Sequence, residues 1–388
     1  MRALRFTMLT RVSQSTVVCQ KPIALSKPRF LVLHHAGWFR YFFGVMKIPV
    51  AVVGANGYSG EELCALLGRH PHACVTAATS RQHAGRKLGD VLPRFAGSPT
   101  LGNLEFSASS ISGLLASDAE FFFLALPHGL ASEFAEPLVA AGKRVIDLSA
   151  DFRLRDAAVY EEFYGEPHPA PALLPSAVYG LPELHREEIR GASLVASAGC
   201  YPTSILLPLV PLLKSQLISS TGIAVASASG VTGAGRKAEI PLLFAECNES
   251  LRAYGLPKHR HLSEIEQELS LGAGAPVVVT FVPHLAPMNR GIHTTIFADP
   301  APGVTEAQIF EALHAAYDHE PFVRVSRALP DTKNVFGTNF CDISLRMDPR
   351  AGRLVLLSAE DNLVKGAAGQ AVQNFNLMSG YEEFAGLL

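Results

Sequence analysis

Short apolar runs alternate with helical patterns along the first half of the chain. The run Ile48–Val53 is continuously apolar and rich in Val and Ile, which is typical of a strand buried on both faces. Further strand-like runs follow at Cys74–Ala78, Glu120–Leu126, Arg144–Leu148 and Leu194–Ala198. Helical stretches lie between them at Glu61–Leu67 and near 130–141. This alternation of strands and helices predicts a mostly parallel, doubly wound sheet.

The pattern changes in the second half of the chain. An apolar helix is predicted over Ile205–Leu213, and strand-like runs follow at Gly222–Ala228, Pro276–Val282 and Ile292–Ala298. These strands predict a mixed sheet whose exposed face could support oligomerisation. The fold class expected is therefore α/β, with a Rossmann-like domain followed by an α+β domain that contains the mixed sheet.

Composition and charge exclude several classes of protein. Of the 388 residues, 48% are hydrophobic and 18% are charged, so ordered domains with a sizeable core are expected. No apolar run approaches the ~20 residues of a membrane span, and a net charge of −2 argues against nucleic-acid binding. The six cysteines form no C-x-x-C pair, so we expect no metal site and predict a reducing compartment, the cytoplasm.

Residues 1–45 differ from the rest of the chain in charge. They contain seven Lys or Arg and no acidic residue, which leaves 26 basic and 35 acidic side chains in the remaining 343 residues. A nonessential extension upstream of the true start is one interpretation, because Met46 stands immediately before the first strand. An organellar transit peptide is the other. We expect the segment to be disordered or nonessential.

The first strand leads directly into a glycine-rich turn and then a helix. The turn, GANGYSG, is a G-x-x-G-x-x-G variant of the dinucleotide fingerprint. Glycines let the backbone approach a pyrophosphate, and the N-terminus of the next helix offers free N–H groups. A plain tight turn is the alternative, but the flanking strand and helix favour nucleotide binding. The expected cofactor contacts are Gly54, Asn56, Gly57, Tyr58, Ser59 and Gly60.

The end of the second strand indicates which nucleotide is bound. The strand ends in Thr79-Ser80-Arg81, where an enzyme that prefers NAD usually has an acidic residue for the ribose hydroxyl. Hydroxyl groups and a guanidinium suit a 2′-phosphate instead, because arginine binds phosphate oxygens bidentately. We therefore predict NADP, with Arg81 as a solvated loop residue the alternative.

Two later strands also end in residues suited to a ligand. Pro127 and His128 follow one strand, and Ser149 follows the next. In open parallel sheets ligands bind outside the carboxyl ends of the strands, so these residues are expected near the cofactor. Asp151 and Arg153 come just after and are interpreted as a structural ion pair.

A cysteine occupies the start of the predicted apolar helix. Cys200 lies between Gly199, which permits a sharp bend, and Pro202, which suits a first helical turn. The free N–H groups of a helix start lower the pKa of a thiol, so Cys200 is a candidate nucleophile. An inert core cysteine is the alternative.

The stretch Ser197–Ser204 (SAGCYPTS) resembles the catalytic motif of the N-acetyl-gamma-glutamyl-phosphate reductases, relatives of the aspartate-semialdehyde dehydrogenases. Further segments agree with that family, in its order, over essentially all of 46–388: Gly54–Gly60, Val145–Arg153, Ser229–Arg236, Pro283–Gly291 and Asp361–Gln370. One departure is Ser197-Ala198, where the family commonly has Asn-Pro, which makes the approach to the turn less rigid.

The resemblance implies a reaction and assigns roles. Cys200 would attack an acyl phosphate and form a thioester, which NADPH would then reduce to an aldehyde. His259 and His261 belong to a paired-histidine segment that the family carries at its active site. In an extended segment the two side chains would point to opposite sides, and we favour His259 beside the thiol with His261 assisting. The capping-box spacing of Ser263 and Glu266 predicts a helix starting just after His261.

Binding residues complete the expected site. The glycine-rich segment from Ser229 to Arg236 can form an anion-binding concavity, and Arg290 is a second anion-binding candidate, with a structural ion pair as its alternative. The residues expected to contact substrate are Ser149, Tyr201, Arg236 and Arg290. Ser229, Gly230 and Asn362 are expected to contact the cofactor, Asn362 because the family's last segment holds the nicotinamide side.

The expected domain plan follows from these placements. An NADP-binding domain covers 46–197, a catalytic and oligomerisation domain covers 198–354, and the segment 355–388 returns to the first domain. We expect a homodimer or homotetramer that binds a small acyl phosphate. An aspartate-semialdehyde dehydrogenase is the nearest alternative. A non-catalytic, NADP-sensing binding protein and a cysteine hydrolase are alternatives of other classes, and the latter leaves the nucleotide fingerprint unused.

Overall fold

The structure, a computed structural model, describes residues 46–388. The expectations for residues 1–45 lie outside these described residues. Two seven-stranded sheets organise the described part of the chain. Within it, no helix is long and apolar enough to cross a membrane.

The first sheet is parallel throughout. Its strands are β1 Ile48–Val53, β2 Ala73–Thr79, β3 Phe106–Ser107, β4 Phe121–Leu124, β5 Arg144–Asp147, β6 Ala177–Gly180 and β7 Leu194–Ser197. They are arranged in the order β3-β2-β1-β4-β5-β7-β6, and every neighbouring pair is parallel. The chain moves to one side of β1 for β2 and to the other for β4, so the strand order reverses beside β1. A crevice for a ligand opens at such a reversal.

The second sheet is mixed, as predicted. Its strands are β8 Ala224–Ser229, β9 Arg252–Ala253, β10 Thr280–Leu285, β11 Ile292–Ala298, β12 Val323–Val325, β13 Cys341–Asp348 and β14 Arg353–Glu360. They are arranged in the order β12-β13-β14-β11-β8-β10-β9, with β8–β10 and β12–β13 parallel and the other pairs antiparallel. Together the two sheets confirm the α/β fold class.

The helices cover the first sheet on both faces and the second sheet on one face. They are α1 Tyr58–Arg69, α2 Leu88–Val91, α3 Ile111–Leu115, α4 Ala131–Ala140, α5 Ala157–Tyr164, α6 Pro182–Gly191, α7 Cys200–Lys214, α8 Phe244–Cys247, α9 His261–Ala273, α10 Glu306–Tyr317, α11 Thr332–Val335 and α12 Gly369–Ser379. Helices α7, α9 and α10 share a core with the alternate, buried positions of the second sheet. The other positions of β8 and β11 stay partly exposed, which leaves that face of the sheet open.

The C-terminal part of the chain joins the two sheets. Strand β14 lies in the second sheet and runs across residue 355, where the sequence analysis divided the domains. A short π-helical turn, Val364–Ala368, follows, and α12 then packs into the core of the first sheet. Phe375 of α12 makes edge-on contact with Phe121 of β4 at 4.9 Å between ring centroids. The chain therefore crosses from the second sheet to the first directly beside the start of α7.

Candidate active site

A cavity of about 600 Å³ opens where the strand order of the first sheet reverses. One wall is the turn Gly54–Gly60, and Cys200 at the start of α7 lies on another. The loop Thr232–Lys237, which follows β8, and Asn362, which follows β14, complete it from the second sheet. The nucleotide fingerprint and the candidate nucleophile therefore face the same space.

The glycines of the turn are required by close backbone contacts. Gly54 has φ +87°, and a Cβ on it would lie 2.4 Å from the carbonyl oxygen of Ala125. A Cβ on Gly60 would lie 2.3 Å from the carbonyl oxygen of Gly54. Helix α1 begins directly after Gly57, so its first N–H groups open toward the cavity. Asn56, Tyr58 and Ser59 line the cavity with the glycines. The turn is shaped as a cradle for a pyrophosphate.

The three residues at the end of β2, Thr79, Ser80 and Arg81, have different roles. Thr79 is fully buried, and its hydroxyl accepts hydrogen bonds from Gly54 N at 3.2 Å and from Ser109 Oγ at 2.9 Å. The hydroxyl of Ser80 accepts from backbone N–H groups of the following turn. Neither Thr79 nor Ser80 lines the cavity, and both hydroxyls stabilise the protein's own turns, so their direct contact with the cofactor stays a prediction. Arg81 is exposed and lines the cavity.

The ends of β4 and β5 reach the cavity as expected. Pro127, His128 and Ser149 all line it. The Ser149 hydroxyl donates to Asp147 at 2.8 Å, which fixes its rotamer. The interpretation of Asp151 and Arg153 as an ion pair is wrong: Asp151 instead accepts hydrogen bonds from Gly129 N and from the backbone and side chain of Ser132.

Arg153 takes part in a buried network that the sequence did not reveal. Its Nη1 lies 2.9 Å from Oε1 of Glu264, and both side chains are buried. Tyr179 donates to the same carboxylate at 2.8 Å, and the backbone N–H of Gly199 donates to it at 3.2 Å. These residues are 65 or more positions from Glu264 in the sequence, so local patterns carry no signal for their meeting. The network anchors the residue that immediately precedes Cys200.

Two glycines allow neighbouring segments to pack tightly against Cys200. A Cβ on Gly199 would lie within 3 Å of the side chains of Arg153, Glu264 and His261. A Cβ on Gly366, in the π-helical turn, would lie 2.6 Å from the Cβ of Cys200. Cys200 is the first residue of α7, as predicted, and is partly exposed to the cavity. Its position is therefore set by contacts on both sides.

The prediction of a lowered thiol pKa is wrong. Burial, with a smaller contribution from the nearby carboxyl of Glu360, raises the pKa of the Cys200 thiol to about 12. The Arg153 guanidinium and the backbone N–H of Tyr201 act in the opposite direction but are outweighed. Desolvation disfavours the thiolate more strongly than the helix start favours it. The thiol is therefore protonated before reaction and needs a proton acceptor.

The two histidines are arranged differently from the expectation. His261 lines the cavity with Cys200, whereas His259 lies behind it and accepts a hydrogen bond from the backbone N–H of His261 at 3.1 Å. Their rings are 5.0 Å apart, and both contact the ring of Tyr201 edge-on. The segment is not extended, because α9 already begins at His261. The preference for His259 beside the thiol is therefore wrong.

Burial keeps both histidines neutral. It lowers the pKa of His259 to about 4, and the pKa of His261 lies well below its ordinary value because of burial and the charges of neighbouring groups. A neutral His261 can accept a proton. Its Nε2 lies 3.9 Å from Oε1 of Glu264, and its Nδ1 has no hydrogen-bond partner among residues 46–388.

The capping box predicted for this helix is absent. Ser263 donates to the carbonyl of Arg260, and Glu266 accepts from the backbone of Val279. Helix α9 nevertheless starts at His261, within one residue of the predicted start.

The charged side chains that line the cavity are all cationic. Five cationic side chains line it: Arg81, Arg153, Arg236, Lys237 and Arg260. Among the described residues, no Asp or Glu does so. Arg260 and Lys237 were not anticipated, and Arg260 contacts His128 of the opposite wall at 2.6 Å. The cavity therefore suits ligands that carry several negative charges, although the described part of the chain is acidic overall.

The remaining predicted contacts lie at different depths. Arg236 pairs with Glu61 of α1 and stacks over Tyr58 at 4.6 Å, which places it beside the glycine turn. Arg290 does not line the cavity, because it is held by Asp361 at 3.1 Å and Glu62 at 3.3 Å, so its structural alternative is correct.

Four further predicted contacts belong to the framework or to the rim of the cavity. Tyr201 is buried behind Cys200, where its hydroxyl accepts from Tyr254 and donates to a backbone carbonyl. Ser229 and Gly230 are buried as well, and none of these three residues lines the cavity, so their direct contacts with ligands stay predictions. Asn362 lines the cavity, and its amide ties Gly291 to Thr232.

No cluster of three or more His, Cys, Asp or Glu side chains that could hold a metal ion occurs within residues 46–388. The chemistry available to the cavity, as far as the described residues show it, is that of a thiol, the imidazoles of His128 and His261, and five cationic groups.

Comparisons with known proteins agree with this arrangement. The family model for the NAD-binding domain of semialdehyde dehydrogenases matches residues 49–192, and the model for the semialdehyde dehydrogenase dimerisation domain matches residues 200–362. The N-acetyl-gamma-glutamyl-phosphate reductase of Akkermansia muciniphila is 56% identical over 343 residues, 88% of this chain and 99% of that protein. The protein of the same name from Citrifermentans bemidjiense is 51% identical over 345 residues, 88% of this chain and 98% of that protein.

Solved structures show the same fold at low identity. Aspartate semialdehyde dehydrogenase II from Vibrio cholerae superimposes with a TM-score of 0.64 at 18% identity, covering 86% of this chain and 99% of that chain. The Candida albicans enzyme, crystallised with NADP, gives 0.62 at 15% identity, covering 86% and 98%. At these identities the likeness concerns the fold.

Proposed function

This chain belongs to the N-acetyl-gamma-glutamyl-phosphate reductase family of the semialdehyde dehydrogenases, and we propose that it reduces N-acetyl-L-glutamyl 5-phosphate to N-acetyl-L-glutamate 5-semialdehyde. The reaction consumes NADPH, releases phosphate and belongs to arginine biosynthesis. One observation carries the proposal: Cys200 shares a cationic cavity with the nucleotide-binding turn Gly54–Gly60. Aspartate-semialdehyde dehydrogenases share the fold, but the identities of 48–56% are to reductases of the N-acetylglutamyl substrate.

The residues on the cavity wall fit NADP. The cradle of Gly54 and Gly60 excludes side chains, and the N-terminus of α1 would face the pyrophosphate. Arg81, exposed after β2, would bind the 2′-phosphate, for which no acidic neighbour on the wall competes. Bound NADPH supplies the hydride.

The shared position of Cys200 and His261 on the cavity wall supports a role for them as nucleophile and proton acceptor. The Cys200 thiol gives its proton to the neutral imidazole of His261 while sulfur attacks the acyl carbon and the bond to phosphate breaks. The imidazolium returns the proton to the departing phosphate. After reduction the carbon–sulfur bond breaks, the aldehyde leaves and the Cys200 sulfur takes up a proton from solvent. Glu264, held by Arg153 and Tyr179, supports the imidazolium.

Substrate charge is met by the cations that remain accessible. Arg153 is largely neutralised by Glu264, and Arg236 pairs with Glu61. Arg260 and Lys237 are exposed on the cavity wall. Arg260 forms no ion pair with a carboxylate of the described residues, and Lys237 makes only a long, exposed contact with Glu239 at 3.8 Å. We propose that these two residues, Arg260 and Lys237, bind the phosphate and the carboxylate of the substrate. Ser149, on the cavity wall, contributes polar contacts.

The reverse reaction gives the direct test. Purified protein is incubated with N-acetylglutamate semialdehyde, phosphate and NADP, and NADPH is followed by its absorbance. Phosphate-dependent formation of NADPH is expected, and aspartate semialdehyde run in parallel should be a much poorer substrate. A preference for aspartate semialdehyde would favour the related dehydrogenase instead.

Cys200→Ser tests covalent catalysis at this position. The serine hydroxyl is a far weaker nucleophile, so turnover should fall by at least about a thousandfold while NADPH affinity, measured by nucleotide fluorescence, stays within about twofold. Substantial turnover by the variant would contradict the mechanism. NADPH binding by the wild type without turnover would indicate a nucleotide sensor.

We also propose that the protein forms a homodimer or homotetramer through the open face of the second sheet. The match to the dimerisation-domain model over residues 200–362 supports this, and Phe297 on that face is 41% exposed. Light scattering should give a mass of two or four chains, and the mass of one chain would contradict the proposal. The cytoplasmic location stays a prediction.

A further inference from the structure

A buried carboxyl group without a function lies behind the start of α7. Glu360, the last residue of β14, has no exposed surface, and neither of its carboxyl oxygens has a hydrogen-bond partner within residues 46–388. An unpaired buried carboxyl is costly, and groups of this kind concentrate at functional sites. The roles assigned above do not include Glu360.

Glu360 is adjacent to the nucleophile across a glycine. The position that a Cβ on Gly366 would occupy is 2.6 Å from Cys200 Cβ and 2.8 Å from Glu360 Oε1. Cys200 Cβ and Glu360 Oε1 are therefore less than roughly 6 Å apart, and Gly366, which has no side chain, lies next to both. A longer side chain at residue 366 would separate them.

The surroundings favour a neutral carboxyl in the resting protein. Burial raises the pKa of Glu360 well above its ordinary value, and the charges of Asp361 and Glu183 add to the effect. Lys365 opposes it, but its ammonium group is 2.5 Å from Glu183 and 2.9 Å from Gln373, so it is already paired.

Several other titratable groups face this pair of acids. Those near Glu360 are Glu183, Cys341, Asp361 and Lys365, and those near Cys200 are Arg153, Tyr201, Tyr254, His261 and Glu264. Arg153 and Glu264 neutralise each other, as do Lys365 and Glu183. Asp361 is paired with Arg290, so Glu360 is the carboxyl group beside Cys200 whose ionisation no direct ion pair compensates.

We propose that Glu360 is a positioning residue that controls how much of Cys200 is thiolate: the neutral carboxyl permits the thiolate, and the ionised carboxylate suppresses it. This rests on the role of Cys200 in the proposed function. The two acids titrate as a coupled pair. When the pair has lost one proton, that proton comes either from Cys200, which leaves a thiolate beside a neutral Glu360, or from Glu360, which leaves a thiol beside a carboxylate. At a pH high enough to ionise Glu360, the fraction of Cys200 present as thiolate is reduced. Activity should therefore fall on the alkaline side of the pH profile.

Alkylation of Cys200 measures this without turnover. Iodoacetamide modification of the Cys200 peptide is followed by mass spectrometry from mildly acidic to alkaline pH in the full-length wild type and in Glu360→Gln. A unit charge at about 6 Å with an effective dielectric constant of about 20 changes a thiol pKa by roughly two units. The two rates should coincide at low pH, and the variant should become about ten- to a hundredfold faster at high pH. Glu268→Gln, which changes another buried glutamate, should follow the wild type.

Two results of the alkylation experiment would overturn the inference. Rates that stay equal at every pH would show that Glu360 does not act on the thiol, and a constant offset at every pH would show a structural effect alone. If Glu360→Gln does not fold, Glu360→Met replaces it, since neither carboxyl oxygen loses a partner. Infrared difference spectra between wild type and variant should then show a protonated carboxyl at neutral pH, and a carboxylate band there would contradict the proposal. Absence of reductase activity with divergent alkylation profiles would count against the proposed function only.

Discussion

Gly366→Ala is the smallest change that should displace the nucleophile. The added methyl would lie 2.6 Å from Cys200 Cβ, 3.1 Å from Cys200 Cα and 2.8 Å from Glu360 Oε1. Because two carbon atoms pack at about 3.5–4.0 Å, the start of α7 or the π-helical turn must move by roughly 1 Å. Gly366 does not have a positive φ, so the new residue meets steric overlap without backbone strain.

The cost should appear in catalysis more than in binding. A displacement of about 1 Å at a reacting group lowers the rate by on the order of a hundredfold, and overpacking costs about 1–3 kcal/mol of stability. The assay is kcat/KM for phosphate-dependent NADPH formation, together with the Kd for NADPH and the urea midpoint.

The matched control is Gly191→Ala at the end of α6. Apart from its chain neighbours and the backbone of its own helix, no atom of residues 46–388 lies within 4 Å of the added methyl there, so wild-type activity is expected. If Gly366→Ala retains kcat/KM within about threefold of wild type, the tight contact between the π-helical turn and Cys200 does not position the nucleophile.

Two further changes test the cofactor side and the buried charges. Arg81→Ala should weaken NADPH binding by about tenfold or more with little effect on NADH, because only NADPH carries the 2′-phosphate; equal losses would remove Arg81 from that role. Lys365→Met leaves Glu183 charged and unpaired in the core, so urea unfolding should show a loss of about 3–5 kcal/mol, with much of it recovered when Glu183→Leu is added. A loss below about 1 kcal/mol in the single variant would show that Lys365 does not stabilise Glu183.

Local patterns predicted the elements of the fold well. The apolar runs gave β1 and β11 with the limits that the structure shows, and the glycine turn between β1 and α1 was predicted in its correct setting. Strand identity depends on apolar continuity and on the residues that end a strand, and both are local. The same reasoning placed Cys200 at a helix start.

The roles of several site residues depend on contacts between segments that are distant in the sequence, and local patterns could not predict them. Arg290 looks like an anion-binding residue until Asp361 and Glu62 are brought beside it. His261 faces the cavity because α9 starts there, and this depends on how 258–261 is folded against Tyr201. The short-range rule for a thiol at a helix start also failed, because the desolvation that overrides it comes from α7 being enclosed by other segments.

A thiol with a raised pKa and a histidine with a lowered pKa are mutually consistent. Charging either one alone in this setting is unfavourable, so the resting site holds a neutral thiol and a neutral imidazole. Proton transfer from Cys200 to His261 creates both charges together, and it becomes favourable when sulfur bonds to the acyl carbon and the negative charge passes to phosphate. Cationic side chains line the cavity into which that phosphate leaves. A nucleophile that is formed only against bound substrate is also protected from alkylation and oxidation in the free enzyme, and the Glu360 carboxyl, buried behind it, strengthens that protection as the pH rises.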